Sequence, residues 1–82
     1  MRRFTKLDWQ KICECVESSV VAFGGRILHT DLLKTVVKFR VADCDLTRVQ
    51  DCVNQCLGGY GYSWESWLPE PNLLKVAWVA RG

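Results

Sequence analysis

The chain has 82 residues, 49% of them hydrophobic and 24% charged, with four Trp, two Tyr, three Phe and a formal net charge of +2. That length makes a single domain, 1–82, and the apolar content excludes a disordered chain. No apolar run approaches the roughly 20 residues of a membrane span, no hydrophobic stretch follows Met1-Arg2-Arg3 as in a signal peptide, and the net charge is too small to argue for a polyanionic partner. The expectation is a cytoplasmic protein with no membrane association.

Charge is unevenly spread. Residues 1–42 hold eight Lys/Arg against four acids, and residues 43–82 hold three against five. Such a molecule suits self-association or an acidic partner. Five Cys is an odd number, so full pairing would leave one over. Without a secretory leader, reduced thiols serving as small hydrophobes are the simpler expectation.

Residues 1–6 form a basic arm. A first helix is predicted over Leu7–Phe23, with Thr5 or Asp8 as its cap. Trp9, Ile12, Cys13, Val16, Val20 and Phe23 recur at the spacing of one helix face, and Gly24-Gly25 stops the helix. A short strand over Arg26–His29 leads to a turn at His29-Thr30-Asp31. A long strand over 32–41 follows. In it Leu33, Thr35, Val37, Phe39 and Val41 share one face, and Lys34, Val36, Lys38 and Arg40 the other.

Asp43 or Asp45 caps a second helix over Leu46–Leu57, with Leu46, Val49, Val53, Cys56 and Leu57 as its stripe and Gly58-Gly59 as its stop. A strand over Tyr60–Leu68, a loop at Pro69-Glu70-Pro71-Asn72 and a last strand over Leu73–Arg81 complete the chain. Asn72–Arg81 aligns without a gap to Asp31–Arg40, so pseudo-repeats over roughly 7–42 and 44–82 suggest a duplicated αββ unit.

The predicted order is α-β-β-α-β-β. Each helix has a single apolar stripe, so both must cover one face of a four-stranded antiparallel sheet, giving a two-layer α+β sandwich. Moving the last strand to the front gives the split βαβ, or ferredoxin-like, order, of which this chain would be a circular permutation. That analogy concerns topology and carries no function.

The residues supply little for catalysis. His29 is the single histidine, and no serine or cysteine is placed by local pattern as its nucleophile. The glycines at 58, 59 and 61 follow a helix and lead into a strand, the reverse of a phosphate-binding loop. Cys13 and Cys15, two apart on a helix, point about 200° away from each other. Cys52 and Cys56 lie one turn apart, but a structural zinc wants four ligands. The expectation is no enzyme, no metal and no cofactor.

Two binding readings remain. The rings exceed what a small core takes once Trp9, Phe23, Phe39 and Trp78 are placed in it. Tyr60, Tyr62, Trp64, Trp67 and Leu68, ahead of a stiff Pro-Glu-Pro loop, are then the candidate docking surface. This describes an adaptor, or an inhibitor that occludes a larger partner, or a homodimer joined through the open sheet face. Trp67 and Leu68 folded back over the sheet edge are the plainer alternative. The second reading is single-stranded nucleic-acid binding by Lys34, Lys38, Arg40, Lys75 and Arg81, with the tyrosines as stacking platforms.

Overall fold

The structure, a computed structural model, describes residues 6–33, 36–59 and 64–78, with every side chain among them except those of Trp64 and Trp78. Along the chain run α1 (Lys6–Ala22), β1 (Arg26–Leu33), β2 (Val36–Ala42), α2 (Leu46–Gly59), β3 (Trp64–Glu70) and β4 (Leu73–Trp78). The strands form one antiparallel sheet in the order β1-β2-β4-β3. β2 and β3 are each antiparallel to β4, which lies between them, so they run parallel with α2 as their crossover. That is a split βαβ unit, and the full order is the permuted ferredoxin-like one.

Both helices lie on one side of the sheet. Ile12, Cys15, Val16 and Val20 of α1 and Leu46, Val49, Val53 and Leu57 of α2 join Val37, Phe39, Val41, Leu74 and Val76 in one buried cluster. In β2 the buried residues alternate with half-buried ones, as expected of a strand with one covered face.

Helix ends follow local chemistry. Asp45 caps α2: its Oδ1 accepts from the Thr47 N–H at 3.0 Å and its carbonyl accepts from Arg48 and Val49. Asp43 instead takes a left-handed φ of 67° and pairs with Arg26 at 3.4 Å. At the end of α1 the Gly24 N–H donates to Val21 O and the Gly25 N–H to Val20 O, a Schellman closure with Gly24 at φ 77°. Gly25 is needed for space: a Cβ there would stand 2.9 Å from Ala42 O and run into the Cys44 side chain. Gly58 and Gly59 form the last turn of α2 rather than following it.

Four further expectations change. The stretch read as one strand over 32–41 is two, because Asp31–Leu33 belong to β1 and the second strand begins at Val36. The expected turn at His29-Thr30-Asp31 lies inside β1, paired with Arg40, Phe39 and Lys38, and Leu33 pairs with Val36. Extending the ladder keeps these backbone groups bonded and sets Asp31 opposite Lys38, an arrangement strands favour over a turn lacking Gly or Asn. The leucines aligned in the pseudo-repeat therefore stand differently: Leu73 and Leu74 are buried in β4, while Leu32 and Leu33 are exposed at the end of β1.

The expected loop over Pro69–Asn72 is shorter, because Pro69 and Glu70 lie in β3 and only Pro71 and Asn72 turn. β3 is an edge strand and its register shifts between Trp67 and Glu70, the setting in which a strand tolerates proline. Phe23, assigned to the core, lies beyond α1 and is 39% exposed. The buried stripe of α1 runs instead through Asp8, Ile12, Cys15, Val16, Ser19 and Val20. Ser19 fits there because its hydroxyl donates to Cys15 O at 2.7 Å.

The cysteines are the fourth change. Cys15 and Cys56 form a disulfide between α1 and α2, with Cα atoms 5.7 Å apart. Packing two helices side by side on one sheet face brings these positions together, which no spacing in the sequence indicates. Cys13, Cys44 and Cys52 are free and half-buried.

Candidate functional site

Directly opposed residues of antiparallel strands project to the same side. Since Val37, Phe39 and Val41 face the helices, the other side of the sheet follows from the register. It carries three cross-strand rows: Leu33–Val36–Ala77–Glu65, Asp31–Lys38–Lys75–Trp67 and His29–Arg40–Leu73–Glu70. No described helix covers this face. Arg40 reaches over Leu73 to Glu70, Nη2 to Oε2 at 3.7 Å, while Leu73 is 8% exposed beneath. Both partners are about half exposed, so the pair contributes on the order of 0–1 kcal/mol and chiefly orients the two side chains.

Trp67 is 39% exposed on this face, next to Lys75. Leu68, one residue on, is half-buried and packs against the core cluster. The two residues grouped as one docking segment therefore separate, as consecutive strand residues do. β3 is held from behind: Gln50 Nε2 donates to Ser66 O and Oγ at 3.1 Å, and Ser66 Oγ donates to Asn54 Oδ1 at 3.1 Å. This polar clip from α2 fixes the strand that presents Trp67. Tyr60 and Tyr62 lie outside the described residues. Trp64 begins β3 opposite Trp78, and its side chain is not among those described.

Of the basic set, Lys38, Arg40 and Lys75 share the open face, and Lys38 stands directly opposite Lys75. Lys34 and Arg81 lie outside the described residues. The same face also carries Asp31, Glu65 and Glu70, so among the described residues three acids accompany three bases. From the sequence Glu65 falls inside the predicted strand Tyr60–Leu68, whereas Asp31 and Glu70 fall in a predicted turn and loop, so only those two are not legible as part of this face. Recognising that the strands continue through 31 and 70 would have exposed them.

The remaining chemistry is sparse. His29 is exposed in β1 opposite Arg40 rather than beside a turn. Burial, then Glu17 and Glu14, push the Cys13 thiol up to about 11, so it stays protonated at neutral pH. Burial, then Asp43 and Asp45, also push the Cys44 thiol up. Among the described residues, no group of three or more His, Cys, Asp or Glu is placed to hold a metal ion. No described helix is long and apolar enough to cross a membrane.

Fold and face together define a two-layer α+β domain with one sheet face covered by helices and the other carrying a tryptophan among balanced charges. Comparison of the chain with protein-family models, with curated proteins and with solved structures finds no match.

Proposed function

We propose that this chain is a small non-enzymatic protein-binding module, an adaptor or an inhibitor that docks on a larger partner and occludes it, and that Trp67 on the open sheet face is its anchor. The observation that carries this reading is the 39% exposure of an indole on a strand clipped to α2. An anchor held in place before binding loses little conformational freedom on docking. The balanced charges around it suit a protein surface of matching mixed polarity, which gives specificity and register.

One observation favours single-stranded nucleic acid as a second reading. Lys38 and Lys75 are cross-strand neighbours beside Trp67, and like charges so placed repel until an anion bridges them. Asp31, Glu65 and Glu70 on the same face weigh against it.

Affinity capture from the native host, scored for protein and nucleic acid together, tests both readings. Trp67→Ala is expected to weaken capture of the protein partner by roughly thirtyfold or more, the effect of losing a hot-spot aromatic. Its thermal midpoint should stay near that of the parent chain. Unchanged capture sinks the docking proposal, and loss of the fold would make the ring structural. Retention of an oligonucleotide that falls about a thousandfold between 50 and 200 mM salt would replace it with the second reading.

A cytoplasmic setting, expected from the sequence, is constrained by the Cys15–Cys56 bond, since cytosolic reductants keep most thiols reduced. Cells lysed directly into a denaturant containing a thiol-blocking reagent decide this: a cytoplasmic chain should carry the blocker on Cys15 and Cys56. A bonded pair in that lysate points to an oxidising compartment.

A further inference from the structure

Among the described residues the two edge strands of the sheet, β1 and β3, have no further strand beside them, and they are not alike. β3 carries Pro69, a register shift and two glutamates, features that discourage a further strand from adding. β1 has its register shift early, between Ile27 and His29, and is regular from His29 to Leu33 with no proline or lysine in that span. It also exposes Leu28, Leu32 and Leu33 at 52%, 44% and 46%. An edge with unpaired backbone groups and exposed leucines is a template for another strand.

We infer that the β1 edge pairs with the β1 edge of a second copy of this chain, antiparallel about a two-fold axis through Thr30, giving a continuous eight-stranded sheet. This does not depend on Trp67 being an anchor. Charge complementarity selects both the occupant and the register. A two-fold normal to the sheet keeps each face on its own side, so the axis must pass through a residue pair and not between two residues. Centring on His29 sets histidine against histidine, and centring on Asp31 sets carboxylate against carboxylate. Centring on Thr30 sets His29 against Asp31 of the second copy, twice, on the open face. The imidazole N–H can donate to the carboxylate in either protonation state. The same register brings Leu32 of each copy up to the Ile27–Leu28 bulge of the other, which gives cover to leucines otherwise left in water. One strand pair is at the small end of stable interfaces, so the dimer is concentration-dependent.

Sedimentation equilibrium on the full chain, from low micromolar to near-millimolar, tests this. A monomer–dimer equilibrium is expected for the parent. Asp31→Lys should weaken it roughly tenfold or more by replacing the carboxylate that accepts each imidazole N–H with an ammonium that cannot accept, and adding His29→Asp should restore it to within about threefold. Both positions are exposed, and circular dichroism checks that each variant folds. T30C should cross-link to itself on mild oxidation, because opposed strand residues lie within disulfide range. L32C alone should not, with the parent chain as control for Cys13, Cys44 and Cys52. A monomer at every concentration, a dimer indifferent to Asp31→Lys, or no cross-link from T30C would overturn the proposal.

Discussion

Reduction of the Cys15–Cys56 bond is expected to lower the thermal midpoint by about 15–30 °C. The two cysteines are 41 residues apart, and the bond joins α1 to α2 over the sheet. On the chain-entropy account, closing a loop of that length removes about 4 kcal/mol of freedom from the unfolded chain. For a domain of this size each kcal/mol shifts the midpoint by roughly 4–8 °C. A chain this short has a total stability of only about 4–12 kcal/mol, so the bond is a large part of the margin. Cys15 is 1% exposed inside the core cluster, so the thiols released by reduction stay among apolar neighbours, and packing loss should be small. Thermal melts with and without reductant, and of the C15A/C56A variant, check the prediction. A shift of only a few degrees would mean that the bond is unformed, or that the helices hold together equally well without it.

Phe39→Ala is expected to cost about 3–5 kcal/mol, enough to leave the reduced chain unfolded. Phe39 is fully buried in β2, an inner strand with β1 on one side and β4 on the other, and its cross-strand neighbours are Thr30 and Leu74. Backbone paired on both sides cannot collapse into the space that a lost ring leaves, so the cavity cost adds to the transfer cost. Phe23→Ala is the contrast. That ring is 39% exposed beyond the end of α1, and its removal should fall within about 1 kcal/mol of the parent. Urea unfolding of both variants separates them. Equal losses would show that Phe23 belongs to the core after all.

The two phenylalanines show where the sequence was legible. Phe39 sits in unbroken alternation with Val37 and Val41, and alternation within a strand is a local signal that burial respects. Phe23 falls on the helical spacing of Trp9, Ile12 and Val20, but Gly24 ends α1 close by, so the spacing stops describing where the ring points. The candidate face divides likewise. Lys38, Arg40 and Lys75 were readable as one wet face because each lies inside a strand of clear period. Asp31 and Glu70 are not, because the local pattern puts Asp31 in a turn and Glu70 in a loop, each beside the strand that holds it.

By itself the sequence determined the two helices, an aspartate cap on α2 at position 43 or 45, the glycine stop after α1, the order α-β-β-α-β-β and the packing of both helices on one sheet face. These follow from periodicity and capping, which act over a few residues, and from one apolar stripe per helix needing one surface to cover. Only the tertiary structure decided that Cys15 joins Cys56, that β1 continues through Leu33, and that acids interleave with bases around Trp67. Each of these depends on which distant residues end up opposite one another. Strand register and helix packing set that, and they are properties of the assembled sheet rather than of any stretch of chain.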